Sequence, residues 1–65
     1  MSIKEKREEF NLSQAELAQK IGVTQSLISK WEKGIVYPRT KNYLKLTQIF
    51  NCSVDDLMKG VVVNR

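Results

Sequence analysis

From Gln14 to Lys33 the chain reads QAELAQKIGVTQSLISKWEK, and its apolar and polar positions recur at helical spacing on both sides of Gly22. This pattern predicts two short amphipathic helices hinged on that glycine. An α-helix turns by about 100° per residue, so every side chain has a bearing around the axis. With Gln25 set at zero, Ser29, Lys33, Ser26 and Lys30 fall at roughly 40°, 80°, 100° and 140°, and Leu27, Trp31 and Ile28 at roughly 200°, 240° and 300°. The polar and apolar arcs of the second helix are therefore almost opposite. Glu32 falls at about 340°, beside the apolar arc rather than within the polar one.

Helix starts punctuate the rest of the chain. Ser2 with Glu5, Ser13 with Glu16, and Ser53 with Asp56 each place a hydroxyl three residues ahead of an acid, the spacing of a capping box. Thr24 and Thr40 are further candidate N-caps. Asn11, Gly22, Gly34, Pro38 and Asn51 fall between these segments as turn formers or C-caps. The starts and breaks together predict helices near 3–10, 14–21, 25–33, 41–50 and 54–58. The fourth is expected to gather Tyr43, Leu44, Leu46, Thr47, Ile49 and Phe50 on a core side, opposite Lys41, Lys45 and Gln48. Ala18 is small enough for close helix approach, Gly22 can take the positive φ of a sharp turn, and Val23 and Ile28 pack beneath it. Period-2 alternation is absent outside a short valine tail, so the fold class is all-α. No repeat or linker is visible, and residues 1–65 read as a single domain.

Sixty-five residues support one small core and leave no surface for an enclosed catalytic pocket. The net charge is +4, with 11 Lys and Arg against 7 Asp and Glu, and its placement is more informative than its size. Residues 30–45 hold Lys30, Lys33, Arg39, Lys41 and Lys45 against Glu32 alone, which accounts for the whole excess. Such a cluster suits a polyanionic partner. There is no histidine, and the single cysteine, Cys52, can form no internal disulfide. No zinc site of Cys/His type can be built, no cofactor is implied, and Cys52 reads as a small half-buried hydrophobe. The first residues carry no apolar h-region, and the longest apolar run is Val61–Val63. Neither a signal peptide nor a membrane span is expected, which points to the cytoplasm.

The polar arc of the second of these helices, Gln25, Ser26, Ser29, Lys30 and Lys33, holds amides, hydroxyls and ammonium groups with no carboxylate among them. An ordinary solvated helix face alternates acids with bases at i,i+4. Amides, hydroxyls and ammonium groups are the ones that bond base edges and phosphates. The spacing of the two helices is that of a helix-turn-helix.

With LSQAELAQKIGVTQ and SVDDLMKG, the chain resembles the Cro and repressor DNA-binding domains of lambdoid phages, the xenobiotic-response-element type of helix-turn-helix, from about Ile3 to Gly60. The resemblance implies a five-helix lambda-repressor-like domain that binds double-stranded DNA sequence-specifically and regulates transcription, in the manner of a repressor. It implies that Gln14 bonds a phosphate and braces Gln25, which presents its amide to adenine. Ser26 and Lys30 occupy further base-contacting positions, Leu27 can brush a thymine methyl, and Ser29 is open between contact and plain solvation. Lys33, Arg39 and Thr40 correspond to phosphate-contacting positions, and the capping residues Ser13 and Thr24 are grouped with them. Arg7 and Glu32 correspond to positions that the family joins by an ion pair between helices.

The chain departs from the phage pattern in the loop IVYP, residues 35–38, read as one residue shorter, and in Lys30, where neutral residues are common. It also lacks the oligomerisation domain of longer repressors, leaving open a complete Cro-like protein or an excised N-terminal domain. One recognition helix reads only about half a helical turn, so a homodimer on a near-palindromic operator is expected. Its contact is expected around Pro38, Val54 and Met58, with Val61–Val63 either adding to it or fraying as a terminus. No small-molecule ligand is evident. An antitoxin-type regulator and a protein-binding adaptor on the same fold remain alternatives. An enzyme is not expected, since no nucleophile, base or carboxylate pair has evident acid-base geometry.

Overall fold

The computed structural model describes residues 3–57. They form five helices: α1, Ile3–Glu9; α2, Gln14–Ile21; α3, Gln25–Lys33; α4, Thr40–Phe50; and α5, Val54–Leu57. No strand occurs among the described residues.

The helix ends follow local chemistry. At the start of α2 the Ser13 hydroxyl accepts from the Glu16 N–H at 3.0 Å, and the Glu16 carboxylate accepts from the Ser13 N–H at 2.9 Å. That reciprocal box satisfies two donors the helix itself cannot. Thr24 caps α3 by accepting from the Leu27 N–H at 3.2 Å, and Ser53 and Asp56 form a box around α5. α2 and α3 end on glycines in the left-handed region, Gly22 at φ 89° and Gly34 at φ 75°, and Asn51 closes α4 at φ 49°. Asn11, at φ 55°, turns the chain after α1.

Two boundaries differ from expectation. α4 begins at Thr40, so Thr40 is its first residue rather than its cap, and the cap position is taken by Arg39 without a side-chain hydrogen bond. α1 ends at Glu9, because Phe10 and Asn11 already form the turn.

The core is a contiguous cluster of Ile3, Leu17, Ala18, Ile21, Ile28, Trp31, Leu46, Phe50 and Leu57, all buried. Leu12, Val23, Leu27, Tyr43, Ile49 and Cys52 pack against its edge. Trp31 is the largest of the fully buried side chains and ties α3 to the rest of the cluster. Phe10 lies at the surface edge, its ring meeting Phe50 edge-on with centroids 5.4 Å apart.

α4 corrects one expectation and reassigns another residue. Leu44 is 54% exposed rather than part of the core side. It bears about 160° round the helix from Leu46, which places it beside Gln48 and Lys41 on the outer face. Lys45, counted with the solvated side, instead donates through Nζ to the Ile21 carbonyl at 3.0 Å. A cation there meets the negative end of the α2 dipole and satisfies a carbonyl at the helix C-terminus.

Candidate nucleic-acid interface

The geometry of the site begins with the turn between α2 and α3. The Gly22 and Val23 N–H groups both donate to the Ala18 carbonyl, at 2.8 and 3.0 Å. This closes the end of α2 within three residues of the start of α3. Ile28 and Trp31 are then drawn into the core, and the opposite arc of α3 must face solvent. Gln25, Ser26, Lys30 and Lys33 are exposed, Ser29 is half-buried, and Leu27 lies half-buried at the core boundary. No acid lies in the first turn of α3, while Lys30 and Lys33 occupy its last turn.

A polar cluster braces α3 from behind. Arg7 of α1 donates from Nε to Glu32 Oε2 at 2.7 Å and from Nη2 to Glu32 Oε1 at 3.3 Å. Its Nη1 donates to the Leu12 carbonyl at 2.8 Å. The two side chains retain 12% and 5% of their exposure, so the pair is largely withdrawn from water. The bond to Glu32 raises the Arg7 pKa above its ordinary value against the opposing effect of burial. Gln14 joins the same carboxylate, its amide nitrogen donating to Glu32 Oε1 at 3.0 Å.

Gln14 is therefore held to Glu32 rather than braced against Gln25. The carboxylate of Glu32 is the stronger acceptor and lies within reach of the first residue of α2. Sequence reasoning missed this bond because Gln14 and Glu32 become neighbours only when α2 and α3 pack.

The remaining expected residues are placed as follows. Ser13 and Thr24 are exposed caps whose oxygens accept backbone bonds, leaving each hydroxyl hydrogen available to an outside acceptor. Arg39 and Thr40 are exposed where the loop enters α4. Of the five basic residues in 30–45, Lys30, Lys33, Arg39 and Lys41 stay exposed, and Lys45 is drawn to α2. Pro38, expected at a contact with a second copy, is buried. Its ring is covered within the folded chain while its neighbours Ile35, Val36 and Tyr37 are exposed. Val54 is 37% exposed. Met58 and Val61–Val63 lie outside the described residues. Burial pushes the Cys52 thiol up, away from the reactive thiolate.

A helix-turn-helix family model matches residues 3–57, the whole of the structure just described. The chain belongs to the helix-turn-helix family. It is 36% identical over 58 residues to the repressor protein C2 of Salmonella phage P22, covering 89% of this chain and 27% of that repressor. An uncharacterised HTH-type transcriptional regulator of Archaeoglobus fulgidus is 40% identical over 55 residues, covering 85% of this chain and 78% of the regulator. The HTH-type transcriptional activator BcrR of Enterococcus faecalis is 36% identical over 50 residues, 77% of this chain and 24% of the activator. The chain thus spans about a quarter of the phage repressor and of the activator. Among solved structures it matches the P22 c2 repressor crystallised with a synthetic operator, at a TM-score of 0.82 and 36% identity, covering 89% of this chain and 88% of that one.

This family member is all-helical in its described residues, as the sequence led one to expect, and its polar arc lies on the second helix of the family's defining motif. Among the described residues no helix is long and apolar enough to cross a membrane.

Proposed function

We propose that this protein binds double-stranded DNA sequence-specifically and regulates transcription, acting as a repressor. The observation that carries the reading is the outer arc of α3, where exposed Gln25, Ser26, Lys30 and Lys33 stand without a carboxylate on a helix anchored by buried Ile28 and Trp31. The first turn of such a helix approaches base edges, so Gln25 and Ser26 read bases, with Lys30 and Ser29 further along and Leu27 against a thymine methyl. Lys33, Arg39, Thr40, Gln14 and the caps Ser13 and Thr24 hold phosphates and set register. The likeness to a repressor crystallised on its operator supports the same reading. The protein acts in the cytoplasm, without a catalytic step, as a pair of copies on a near-palindromic operator.

Selection of bound duplexes from a random pool tests the proposal. A defined, near-palindromic consensus is expected. Recovery of unselected sequence at ordinary salt would overturn it, and so would failure to retain any duplex.

A further inference from the structure

Beside α3, on the side of α1, lies an open groove of about 280 Å³ lined by Lys4, Arg7, Gln14, Ser29, Glu32 and Lys33. Its only carboxylate is already engaged, since Glu32 accepts from Arg7 through both oxygens and from Gln14 through one. The floor is thus neutral as a unit. Three cations against one carboxylate leave two positive charges in the lining, those of Lys4 on α1 and Lys33 on α3. Both lysines are exposed, and neither has an ion-pair partner among the described residues. Ser29 and Lys33, at roughly 40° and 80° around α3 from Gln25, place the groove's mouth on the outer arc.

Two unpaired ammonium groups facing one cleft repel one another, and a singly charged phosphodiester between them relieves both. A serine hydroxyl in the lining offers that anion a further donor. We propose that Lys4 and Lys33 clamp one backbone phosphate of the bound duplex in this groove, so that α1 joins the interface through Lys4. The inference rests on the DNA-binding reading above. Its floor explains why the groove accepts an anion although it contains a glutamate: the carboxylate faces Arg7 and Gln14, leaving the two lysines to set the local field.

The test measures affinity for a selected duplex across a salt series with the wild type, Lys4→Ala, Lys33→Ala, Lys4→Arg and the double alanine variant. Loss of the one clamped phosphate, in the double alanine variant, should lower the slope of log affinity against log salt by about 0.9, so that a fourfold rise in salt costs that variant about three- to fourfold less affinity than the wild type, with each single alanine variant in between. Lys4→Arg should keep the wild-type slope and the preferred bases should not change, whereas a double-variant loss of about twice 0.9 would mean two separate phosphates and overturn the clamp. In duplexes carrying one neutral methylphosphonate, the wild type should be weakened at a particular position, Lys4→Ala less so, and the double alanine variant not at all. A wild-type slope in Lys4→Ala, or an unaltered methylphosphonate profile, would overturn the clamp. Saturation of the groove by inorganic phosphate without DNA, seen at the lysine side chains by NMR, would overturn the assignment to duplex phosphate. If the wild type shows no salt-dependent duplex binding, the DNA-binding reading itself falls and the clamp with it.

Discussion

Gln25 and Glu32 show how differently two polar residues on one helix can act. Gln25 is exposed at the start of α3, where its amide can donate and accept on one base edge. Gln25→Ala is expected to cost about 1–3 kcal/mol at one base pair and to relax preference there, as read from affinities on a panel of single-base-pair variants. An equal loss on every duplex would instead mark Gln25 as a phosphate contact. Glu32 is nearly buried and bonded to both Arg7 and Gln14. Removing it strands a guanidinium that retains only 12% of its exposure. Glu32→Ala should therefore destabilise the fold by roughly 3 kcal/mol, well above the value of an exposed pair. An unchanged urea midpoint would show that the pair contributes nothing net.

At the scale of the helix, the capping box of α2 makes a pH-dependent contribution. The Glu16 carboxylate accepts the Ser13 N–H, and this bond first, then the Ser13 hydroxyl, holds its pKa below the ordinary value. A pKa lowered by folding means stability that is present at neutral pH and is lost as pH falls through the ordinary carboxylate range toward the lowered native value. Glu16→Gln removes the titration. The stability difference between wild type and Glu16→Gln should accordingly narrow on acidification, and a difference constant with pH would refute this account. Ser13→Ala should cost about 1 kcal/mol by leaving the Glu16 N–H uncapped. The other end of α2 tests the backbone. A Cβ at Gly22 would meet nothing within 4 Å, so only the φ of 89° opposes a side chain there. Gly22→Ala should cost about 1–2 kcal/mol by torsional strain alone, visible as a lower thermal midpoint with an unchanged denaturant slope. A loss of more than about 3 kcal/mol would mean that the turn cannot be kept at all.

Among the described residues α3 is the one helix proposed to read bases, and one such helix spans too few base pairs for tight specificity. Two-fold dimers of helix-turn-helix proteins place their half-sites about 34 Å apart on one face of the duplex. Of the residues expected at the contact with a second copy, Val54 is exposed and Pro38 is buried beside the exposed loop residues Ile35, Val36 and Tyr37. These are few exposed apolar residues, so the dimer should assemble mainly where DNA aligns two copies. Titration of a full site and of an isolated half-site should show cooperative two-to-one binding on the first. Equal affinity per copy on both duplexes would exclude the dimer.

Local chemistry wrote much of this fold into the sequence. Ser13 with Glu16 and Ser53 with Asp56 announce helix starts because the capping bonds span only three residues. Gly22, Gly34 and Asn51 announce ends because they tolerate positive φ. The outer arc of α3 was legible for the same reason, since one helix's own periodicity separates Gln25 and Lys33 from Ile28 and Trp31. Tertiary packing decided the rest. It buried Pro38 beside an exposed loop, whereas Leu44 follows the helix's own periodicity in facing outward with Gln48 and Lys41. Packing also drew Lys45 onto the Ile21 carbonyl, hung Gln14 on Glu32 and brought Lys4 and Lys33 into the lining of one groove. Each of these relations joins residues at least eighteen positions apart, and a periodicity confined to one helix carries no information about a partner on another.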